Sequence, residues 1–591
     1  RISTSVSLIS AGTERMLVDF GKASYLEKAR QQPDKVKMVL DKVVTDGMLS
    51  TFDSVRSKLS QPLPLGYSNV GLVEAASPDI STFKVGDRVV SNGCHADVVT
   101  VKKNLCALIP DEVDDDSAAF TVVGSIGLQG VRLAQPSLGE SFVVIGVGVI
   151  GLLTVQLLRA NGCRVLAVDF DNEKLDLAKK FGAEICNPAV GGNVLSEAAS
   201  FSRGRGVDGV IITASTKSND PIKQAAQISR SQGRIILVGI TGLKLDRADF
   251  YEKELSFRVS CSYGPGRYDP SYEDDGNDYP IGFVRWTEQR NFEAFLDMMA
   301  VGTIDVKPLI SSRFEFTNAP VAYEQLTSNS SLLGILLDYR SDPSTRLKRS
   351  IQLPANYLPS DSRSSIGFIG AGNYASRILI PAFHKAGAKL HTLVTANGIN
   401  SVIHGKKAGF LNASTDVDAM LKNSQVNAVV IVTQHNSHAK YVIDSLTAGK
   451  HVWVEKPLAI DNDGLSSIEK AYHKAHLGAK KPKTTPQLMV GFNRRFSPHV
   501  KRMYEMLLTV KAPKSILVTV NAGVISKDHW TQDPLKGGGR IIGECCHFID
   551  LMRFLVGRKI VSVNGQAMFS EPVREIMTDQ SSITLGFEDG S

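Results

Sequence analysis

Two glycine-rich turns, each between a short apolar run and a helix-like stretch, constrain the fold of this chain more than any other feature. The first occupies residues 143–151 (VVIGVGVIG) and the second residues 366–375 (IGFIGAGNYA). A turn of this kind presents free backbone N–H groups at a helix N-terminus, where a diphosphate binds. The sequence therefore predicts an α/β protein with two Rossmann domains, each a doubly wound parallel sheet.

The first turn has the full three-glycine spacing. A following apolar run, residues 164–168 (RVLAV), ends at Asp169, whose carboxylate suits a ribose 2′-hydroxyl and repels a 2′-phosphate. We therefore predict NAD at this site, against the alternative of a turn that binds nothing. The residues predicted to hold it are Gly146, Val147, Gly148, Val149, Ile150, Gly151 and Asp169.

The second turn is a weaker match, because Ala375 replaces the third glycine and the next apolar run ends at Thr395 rather than at an acid. A segment further along supports it. Residues 450–457 (KHVWVEKP) form an apolar run that ends in Glu455, Lys456 and Pro457, which places a cation beside a cofactor ring. We predict NAD or NADP here.

Composition indicates a multi-domain enzyme rather than a binding protein for a large polyanion. A chain of 591 residues exceeds what one core encloses, and its 43% apolar and 21% charged residues are ordinary globular usage. Its net charge of +7 comes without a dense Lys/Arg run, so we expect no nucleic-acid partner. The seven cysteines include no C-x-x-C pair, which argues against a cysteine-rich zinc site and a disulfide scaffold.

The sequence contains no apolar stretch of membrane-spanning length and no recognisable signal peptide. We therefore expect no membrane partner and a cytoplasmic location. The chain does not open with Met, and its last residues read as a strand. We expect it to be a partial chain whose last domain is incomplete.

Five segments are predicted from the pattern of strands, helices and linkers. They are a mainly β domain at 1–130 to which residues 290–340 return, a Rossmann domain at 131–289, a linker rich in Ser, Pro and charge at 341–364, a second Rossmann domain at 365–459, and an α+β domain at 460–591. Within the last, residues 516–520 and 560–566 are predicted strands and residues 544–556 a helix.

Residues 1–340 resemble the medium-chain dehydrogenase/reductase family, of the zinc-alcohol-dehydrogenase type. The resemblance is carried by residues 85–90 (VGDRVV), residues 95–97 (HAD), residues 124–130 (GSIGLQG), the first glycine turn and Asp169. It implies that the mainly β domain is a GroES-like catalytic domain.

This half departs from the family where zinc ligands are expected. It has residues 11–14 (AGTE) in place of a ligand cysteine, and residues 66–68 (GYS) in place of Gly-His-Glu. Thr and Tyr are poor zinc ligands, so we predict no catalytic zinc. Polarisation of a substrate carbonyl then falls to Tyr67, Thr13 or Glu14, unless these are ordinary strand and turn residues.

Residues 365–591 resemble the Gfo/Idh/MocA oxidoreductases, which act largely on sugars, cyclitols and nucleotide sugars with NAD or NADP, and which have a C-terminal α+β open-sheet domain. The motifs are the second glycine turn, Thr433 with His438, residues 455–457 (EKP), residues 491–498 (GFNRRFSP) and residues 537–550 (GGGRIIGECCHFID). The resemblance implies a cofactor site built from Gly370, Gly372, Asn373, Tyr374, Thr433, His438, Glu455, Lys456 and Pro457.

The same resemblance places Lys456 and His547 beside the reacting carbon. The family's acid usually stands four residues before that His, but here the position is Gly543 and the acid is Glu544. Either the proton relay is rearranged around Glu544, or Glu544 serves structure. Loss of hydride from a C–H needs a base at the hydroxyl and a cation for the developing alkoxide, and Lys456 and His547 supply both.

Four further side chains are candidates for substrate contact. Arg494 and Arg495 suit an anionic group, with a structural ion pair as the alternative. Trp530 and the aromatic loop at residues 263–286 suit stacking on a sugar ring, with a packed surface loop as the alternative. Tyr67 is the candidate in the first half.

These features predict an NAD(P)-dependent oxidoreductase acting on a sugar, nucleotide sugar or polysaccharide-derived substrate. Hydride transfer is predicted at the second domain, and the resembled families imply a homo-oligomer. Two alternatives remain: redox-neutral NAD-dependent glycoside cleavage by oxidation, elimination and re-reduction, and a chain in which one half is a non-catalytic cofactor-binding scaffold.

Overall fold

A computed structural model describes most of the chain as two compact units, Arg1–Leu347 and Lys348–Ser591. The described residues are 1–23, 63–329, 331–340, 346–354, 365–477, 485–523, 525–526, 529–570 and 575–591. Part of the predicted linker, at 341–345 and 355–364, lies outside them.

The first unit begins with a strand and then alternates strands and helices. Its strands are β1 Ile2–Ser10, β2 Asn69–Val73, β3 Arg88–Ser91, β4 Val98–Val99, β5 Cys106–Leu108, β6 Ser141–Ile145, β7 Arg164–Val168, β8 Glu184–Cys186, β9 Val207–Ile212, β10 Ser229–Leu237, β11 Ser256–Val259, β12 Ile310–Glu315 and β13 Gly334–Asp338. Its helices are α1 Ala11–Lys22, α2 Asp115–Ala118, α3 Thr121–Ala134, α4 Val149–Ala160, α5 Asn172–Lys180, α6 Val194–Phe201, α7 Asp220–Ile228, α8 Arg247–Tyr251, α9 Pro270–Glu273, α10 Glu288–Ala300 and α11 Ala319–Ser328.

One sheet of this unit joins strands from both ends of the segment. Its order is β12-β13-β1-β2-β3-β5, with β4 also paired to β1. Strand β13 is antiparallel to β1, with Val6 opposite Asp338. The buried side chains of Val6, Leu8 and Leu336 connect this sheet to the core of the unit.

The other sheet of the first unit is parallel, in the order β11-β10-β9-β6-β7-β8. The chain enters at the central strand β6, builds outward to β8 and then returns to the other side of β6 at β9. Strand β6 is apolar and fully buried because helices cover both faces of such a sheet. The first glycine turn follows β6 where the strand order reverses, which is where this fold binds ligands.

The second unit repeats the alternation with shorter elements. Its strands are β14 Ser350–Gln352, β15 Ser365–Ile369, β16 Lys389–Val394, β17 Asn412–Ser414, β18 Ala428–Ile431, β19 His451–Val454, β20 Leu488–Val490, β21 Ile560–Ser570 and β22 Glu575–Phe587. Its helices are α12 Ile380–Lys385, α13 Ile399–Ala408, α14 Val417–Lys422, α15 His438–Thr447, α16 Asn462–Leu477, α17 Pro498–Leu507 and α18 Cys546–Val556, with π-helical turns at Ala375–Leu379 and Ile541–Cys545.

The sheet of the second unit has the order β14-β17-β16-β15-β18-β19-β20 and is parallel except at one edge. That edge is β14, which pairs antiparallel with β17. The expectation of a linker without strands is therefore wrong at Ser350–Gln352, because Ile351 and its neighbours find unpaired backbone groups on β17. The predicted fold class, with two doubly wound Rossmann sheets, is confirmed.

The last part of the chain forms the antiparallel pair β21 and β22, with Val563 opposite Leu585. The predicted strand at residues 516–520 is wrong, since no strand is assigned there and Leu517 is 92% exposed. No strand within the described residues lies beside that segment to complete its backbone hydrogen bonds. None of the helices described is long and apolar enough to cross a bilayer.

Candidate functional site

The carboxyl ends of four neighbouring strands bring the predicted residues of the second unit together. Strands β15, β18, β19 and β20 are adjacent and parallel. The segments that follow them carry the second glycine turn, Thr433, Glu455 with Lys456, and residues 491–495. Loops at the carboxyl ends of parallel strands share one edge of a sheet, so these residues form one site.

The second glycine turn has the shape that a diphosphate requires. Gly370 has a φ of +102°, and a Cβ there would lie 2.2 Å from the carbonyl oxygen of Val432, so no other residue fits. A Cβ on Gly372 would meet nothing within 4 Å. Asn373 and Tyr374 are exposed beside it, and the Tyr374 hydroxyl accepts a hydrogen bond from the Asn493 amide. The turn therefore fits a dinucleotide.

Lys456 connects the glycine-turn side of the site to the helix that carries His547. Its Nζ donates to the carbonyl oxygen of Gly543 at 2.6 Å. Gly543 lies in the π-helical turn Ile541–Cys545, one turn before His547 in α18. The structure thus brings together the two side chains predicted to flank the reacting carbon.

His547 is a neutral imidazole at ordinary pH. Burial lowers its pKa to about 4, with further lowering by the positive charges of Lys456 and Arg494. Its Nδ1 is buried and has no hydrogen-bond partner among the described residues. A buried polar nitrogen without a partner is costly in a folded protein, and such groups cluster where ligands bind.

Glu455 precedes Lys456 and is 8% exposed. Burial raises the pKa of its carboxyl to about 7, opposed by a hydrogen bond from the Lys456 backbone N–H and by the Lys456 charge. Its other oxygen, Oε1, has no partner within the described residues. Glu455 is therefore a second buried group of the site with unused hydrogen-bonding capacity.

His438 lies between two backbone carbonyl groups of the site. Its Nδ1 lies 2.7 Å from the carbonyl oxygen of Pro457 and its Nε2 lies 3.1 Å from that of Thr433. Both nitrogens therefore face the backbone and the ring is fully buried. These contacts favour a supporting role between the segments of Thr433 and Pro457, and contact of His438 with a cofactor stays a prediction. The Thr433 hydroxyl itself bonds that of Ser437 at 2.6 Å.

Glu544 and the two arginines have different partners. Glu544 accepts hydrogen bonds from Arg540 at 2.9 and 3.2 Å, which favours the structural alternative over the proton relay. Arg495 forms a two-point ion pair with the buried Asp550, which favours the structural alternative over a substrate anchor. Arg494 is exposed and lies over the ring of Phe548 at 4.5 Å, which leaves it available to an anion.

His435 was missed by the sequence analysis and lies inside this site. It is 8% exposed, and its ring meets Trp530 edge-to-face at 4.8 Å. Its Nδ1 donates to the carbonyl oxygen of Gly537 at 2.7 Å. The sequence signal was its position two residues after Thr433, but Gly537 is 102 residues away along the chain, so only the fold reveals the contact.

The first glycine turn is also shaped for a diphosphate. Gly146 has a φ of +90°, and a Cβ there would lie 2.6 Å from the Ala214 backbone, whereas a Cβ on Gly148 would meet nothing within 4 Å. Asp169 follows β7 as predicted. Its carboxylate accepts from the Val147 N–H at 2.7 Å and from the backbone N–H groups of Phe170 and Asp171. The acid is thus held against the turn.

A buried polar cluster lies in the mainly β part of the first unit. Glu14 is fully buried and accepts hydrogen bonds from the Ser10 N–H at 2.9 Å and from the Tyr323 hydroxyl. His95 lies against it at 3.1 Å, and its other ring nitrogen meets Ser7 at 2.7 Å. Glu14 is therefore enclosed by partners, which favours a structural role over the predicted polarisation of a substrate carbonyl.

Tyr67 and Thr13 lie at the edge of this cluster, with the Tyr67 hydroxyl 3.3 Å from that of Thr13. Burial raises the pKa of Tyr67. No three His, Cys, Asp or Glu side chains meet as a metal-binding group in the part of the chain that the structure describes. Thr13 and Tyr67 stand where the resembled family has its zinc ligands, and both are poor ligands for this metal. The absence of a catalytic zinc stays a prediction.

The aromatic loop at 263–286 packs against the first unit. Tyr272 is 1% exposed and stacks on Tyr279 at 5.3 Å, and Tyr263 is 4% exposed against Phe292. Trp286 lies under the guanidinium of Arg132 at 3.4 Å. These rings are used in packing, whereas Tyr268 and Phe283 of the same loop are exposed, so both alternatives for the loop stay open.

Parts of both units match known protein families. Residues 149–273 match the zinc-binding dehydrogenase family, residues 364–481 match the Gfo/Idh/MocA oxidoreductase family with an NAD-binding Rossmann fold, and residues 513–591 match the Gfo/Idh/MocA C-terminal domain. Segments of both oxidoreductase families therefore occur in this one chain. The predicted family membership and enzyme class are confirmed.

Curated relatives that match this chain are also oxidoreductases. The D-guloside 3-dehydrogenase of Escherichia coli K12 is 27% identical over 271 residues, which cover 44% of this chain and 73% of the relative. The L-idonate 5-dehydrogenase of Vitis vinifera is 24% identical over 297 residues, covering 44% and 75%. Oxidoreductase P35 of Formosa agariphila is 28% identical over 202 residues, covering 32% of this chain and 60% of the relative.

Proposed function

We propose that this chain is an NAD(P)-dependent oxidoreductase that oxidises a hydroxyl, or reduces the corresponding ketone, on a sugar, nucleotide sugar or polysaccharide-derived substrate. The reaction takes place at the second unit. The observation that carries the proposal is the contact between Lys456 and Gly543, which joins the glycine-turn side of the site to the helix of His547. The relatives named as guloside and idonate dehydrogenases support a polyhydroxylated substrate.

Each residue of the second site has its own role in the proposed reaction. A bound nicotinamide supplies a two-electron acceptor or donor. Lys456 stabilises the alkoxide that develops on the substrate oxygen, because its ammonium is held in place by the Gly543 carbonyl. His547 hydrogen-bonds the reacting hydroxyl through its unused nitrogen, and Arg494 binds an anionic group of the substrate. Trp530 and Phe492, whose rings lie against His435 and His547, supply apolar faces for the sugar ring.

The first unit, in this proposal, binds NAD at its own turn without zinc. Asp169 at the end of β7 supports NAD over NADP, since a fixed carboxylate repels a 2′-phosphate. Glu14 already accepts hydrogen bonds from Ser10 and Tyr323, which favours a structural rather than a catalytic role for the polar cluster of this unit.

Two matched variants test where cofactor is bound and used. Gly148→Val and Gly372→Val each place a side chain in a turn where a Cβ meets nothing within 4 Å, so both proteins should fold. We expect each to lose one of two classes of NADH site in a fluorescence titration. Only Gly372→Val should abolish NADH formation from methyl glycosides, L-idonate or sorbitol, followed optically.

The same assay separates net oxidation from the redox-neutral alternative. Steady NADH formation supports oxidation, whereas glycoside cleavage without net NADH supports the neutral cycle. Loss of turnover in Gly148→Val with full turnover in Gly372→Val would place the reaction at the first unit and overturn the proposal.

A further inference from the structure

The imidazole of His435 fills the space in front of Gly543. If Gly543 carried a Cβ, that atom would lie 3.0 Å from His435 Cε1 and 3.5 Å from Nδ1. The Gly543 carbonyl is the acceptor of the Lys456 ammonium. His435 and Lys456 therefore converge on the same residue, and the Lys456 charge acts on both His435 and His547.

The hydrogen bond at Nδ1 determines which nitrogen of His435 is a base. The Gly537 carbonyl can only accept, so Nδ1 carries the hydrogen of the 2.7 Å contact. In the neutral ring the lone pair is then on Nε2, which has no hydrogen-bond partner within the described residues. A backbone amide fixes the segment as well, because the Asn436 N–H donates to the Lys536 carbonyl at 3.0 Å. The ring is thus a fixed, oriented acceptor.

We propose that His435 is a catalytic residue of the second site, whose Nε2 receives the proton of the substrate hydroxyl. This inference rests on the function proposed above and decides where the proton goes. The hydroxyl O–H bond breaks and its proton forms a bond to Nε2. The hydrogen of the adjacent C–H bond leaves with its bonding electron pair as hydride, which a bound oxidised nicotinamide would accept, and a C=O bond forms. The resulting imidazolium keeps its Nδ1–H bond to the Gly537 carbonyl, which is the contact that stabilises its charge.

The neighbours of His435 keep its ring neutral before the reaction. Trp530 covers one side of the ring, His438 lies at 5.7 Å and Lys456 is the nearby cation. Burial lowers the pKa of His435 to about 4, and the His438 and Lys456 contributions act in the same direction. The ring is therefore neutral at pH 7 with its lone pair available. The Nζ of Lys456 already donates to the Gly543 carbonyl.

The first experiment uses the full chain with His435→Gln and the matched control His473→Gln, an exposed histidine on α16. General-base loss predicts that kcat for NADH formation falls about 100- to 10,000-fold in His435→Gln, with a smaller change in KM. NADH affinity, measured by fluorescence, should be unchanged in both variants. Imidazole added to His435→Ala should restore part of kcat, which a merely structural role would not produce.

The second experiment needs no substrate. In protein labelled with ¹⁵N-histidine, the resonances of His435 are those lost in His435→Gln. We expect a protonated Nδ1 and an unprotonated Nε2 at pH 7, and a shift of these resonances in Gly543→Ala, whose Cβ would press on Cε1.

Three results overturn the inference: unchanged turnover in His435→Gln, loss of NADH binding in that variant, or a protonated Nε2 at pH 7. Retention of both classes of NADH site in Gly372→Val overturns the proposed function instead, so the two failures are distinguishable.

Discussion

The two units each contain a cluster of buried titratable groups, and the clusters differ in how completely their polar atoms are partnered. In the first unit, Glu14 accepts from Ser10 and Tyr323 and lies against His95. In the second, His547 and Glu455 each keep a buried atom without a partner among the described residues. Partnered clusters stabilise a fold, whereas unpartnered ones are expected where a ligand completes the hydrogen bonds.

The largest expected effect is on the chemistry of the second cluster. In Lys456→Met, the ammonium that stabilises the alkoxide is lost, and kcat should fall about 100- to 1,000-fold, as on removal of one oxyanion donor. Thermal stability should change little, because only the bond to the Gly543 carbonyl is lost. The control is Lys470→Met, an exposed residue of α16. Full turnover in Lys456→Met would show that the unpartnered cluster is not the reacting one.

The next effect is on the stability of the first cluster. In Glu14→Gln, the buried carboxylate becomes an amide while its donors remain, so the free energy of unfolding should fall by about 3–5 kcal/mol. Urea unfolding measures it, with the exposed Glu112→Gln as control. If Glu14→Gln retains its stability but loses turnover, Glu14 takes part in the reaction. The first cluster would then not be purely structural.

Replacing Glu455 should change how the free energy of unfolding depends on pH, by an amount similar to or smaller than the effect at Glu14. Its pKa is raised by burial to about 7 in the folded protein, so its contribution to stability is present below the unfolded value and is lost as pH rises through 7. Glu455→Gln should therefore gain stability relative to the unmodified chain by up to about 3 kcal/mol between pH 4.5 and 7.5. Thermal unfolding at both pH values measures this gain. An identical pH dependence in the two proteins would mean that the carboxyl is solvated.

The smallest effect is expected at the edge of the first cluster. The hydroxyl of Tyr67 makes a long 3.3 Å hydrogen bond to Thr13, so Tyr67→Phe should cost about 1 kcal/mol of stability or less. Turnover should be unchanged. A loss of turnover without loss of stability would instead make Tyr67 a substrate-contacting residue of the first unit, as the sequence analysis had it.

Most of the fold follows from short-range sequence patterns. The apolar run before Gly146 predicts β6, and the run ending at Asp169 predicts β7, because buried parallel strands are apolar along their whole length. Segment 516–520 shows the limit of this approach. Its alternating residues suit a strand, but a strand also needs a neighbour, and neighbours are determined by the rest of the chain.

The site was predictable where a motif is contiguous and not where partners are distant. Residues 455–457 were found because they are adjacent in sequence. The pairing of Arg495 with Asp550 spans 55 residues, and the contact of His435 with Gly537 spans 102. Arg495 and His438 are predicted at the ligand from sequence alone, because the sequence does not show that their polar atoms contact other parts of the protein.

Strand β14 determines where the chain can be cut to obtain the second unit as a separate fragment. It covers the outer edge of β17, where Ala413 pairs with Ile351, so three residues from before the second glycine turn belong to the second unit. A fragment starting at Ser365 would leave the backbone of Asn412–Ser414 exposed as a template for intermolecular pairing. A fragment starting at Lys348 retains its own edge protection and is the one expected to stay monodisperse.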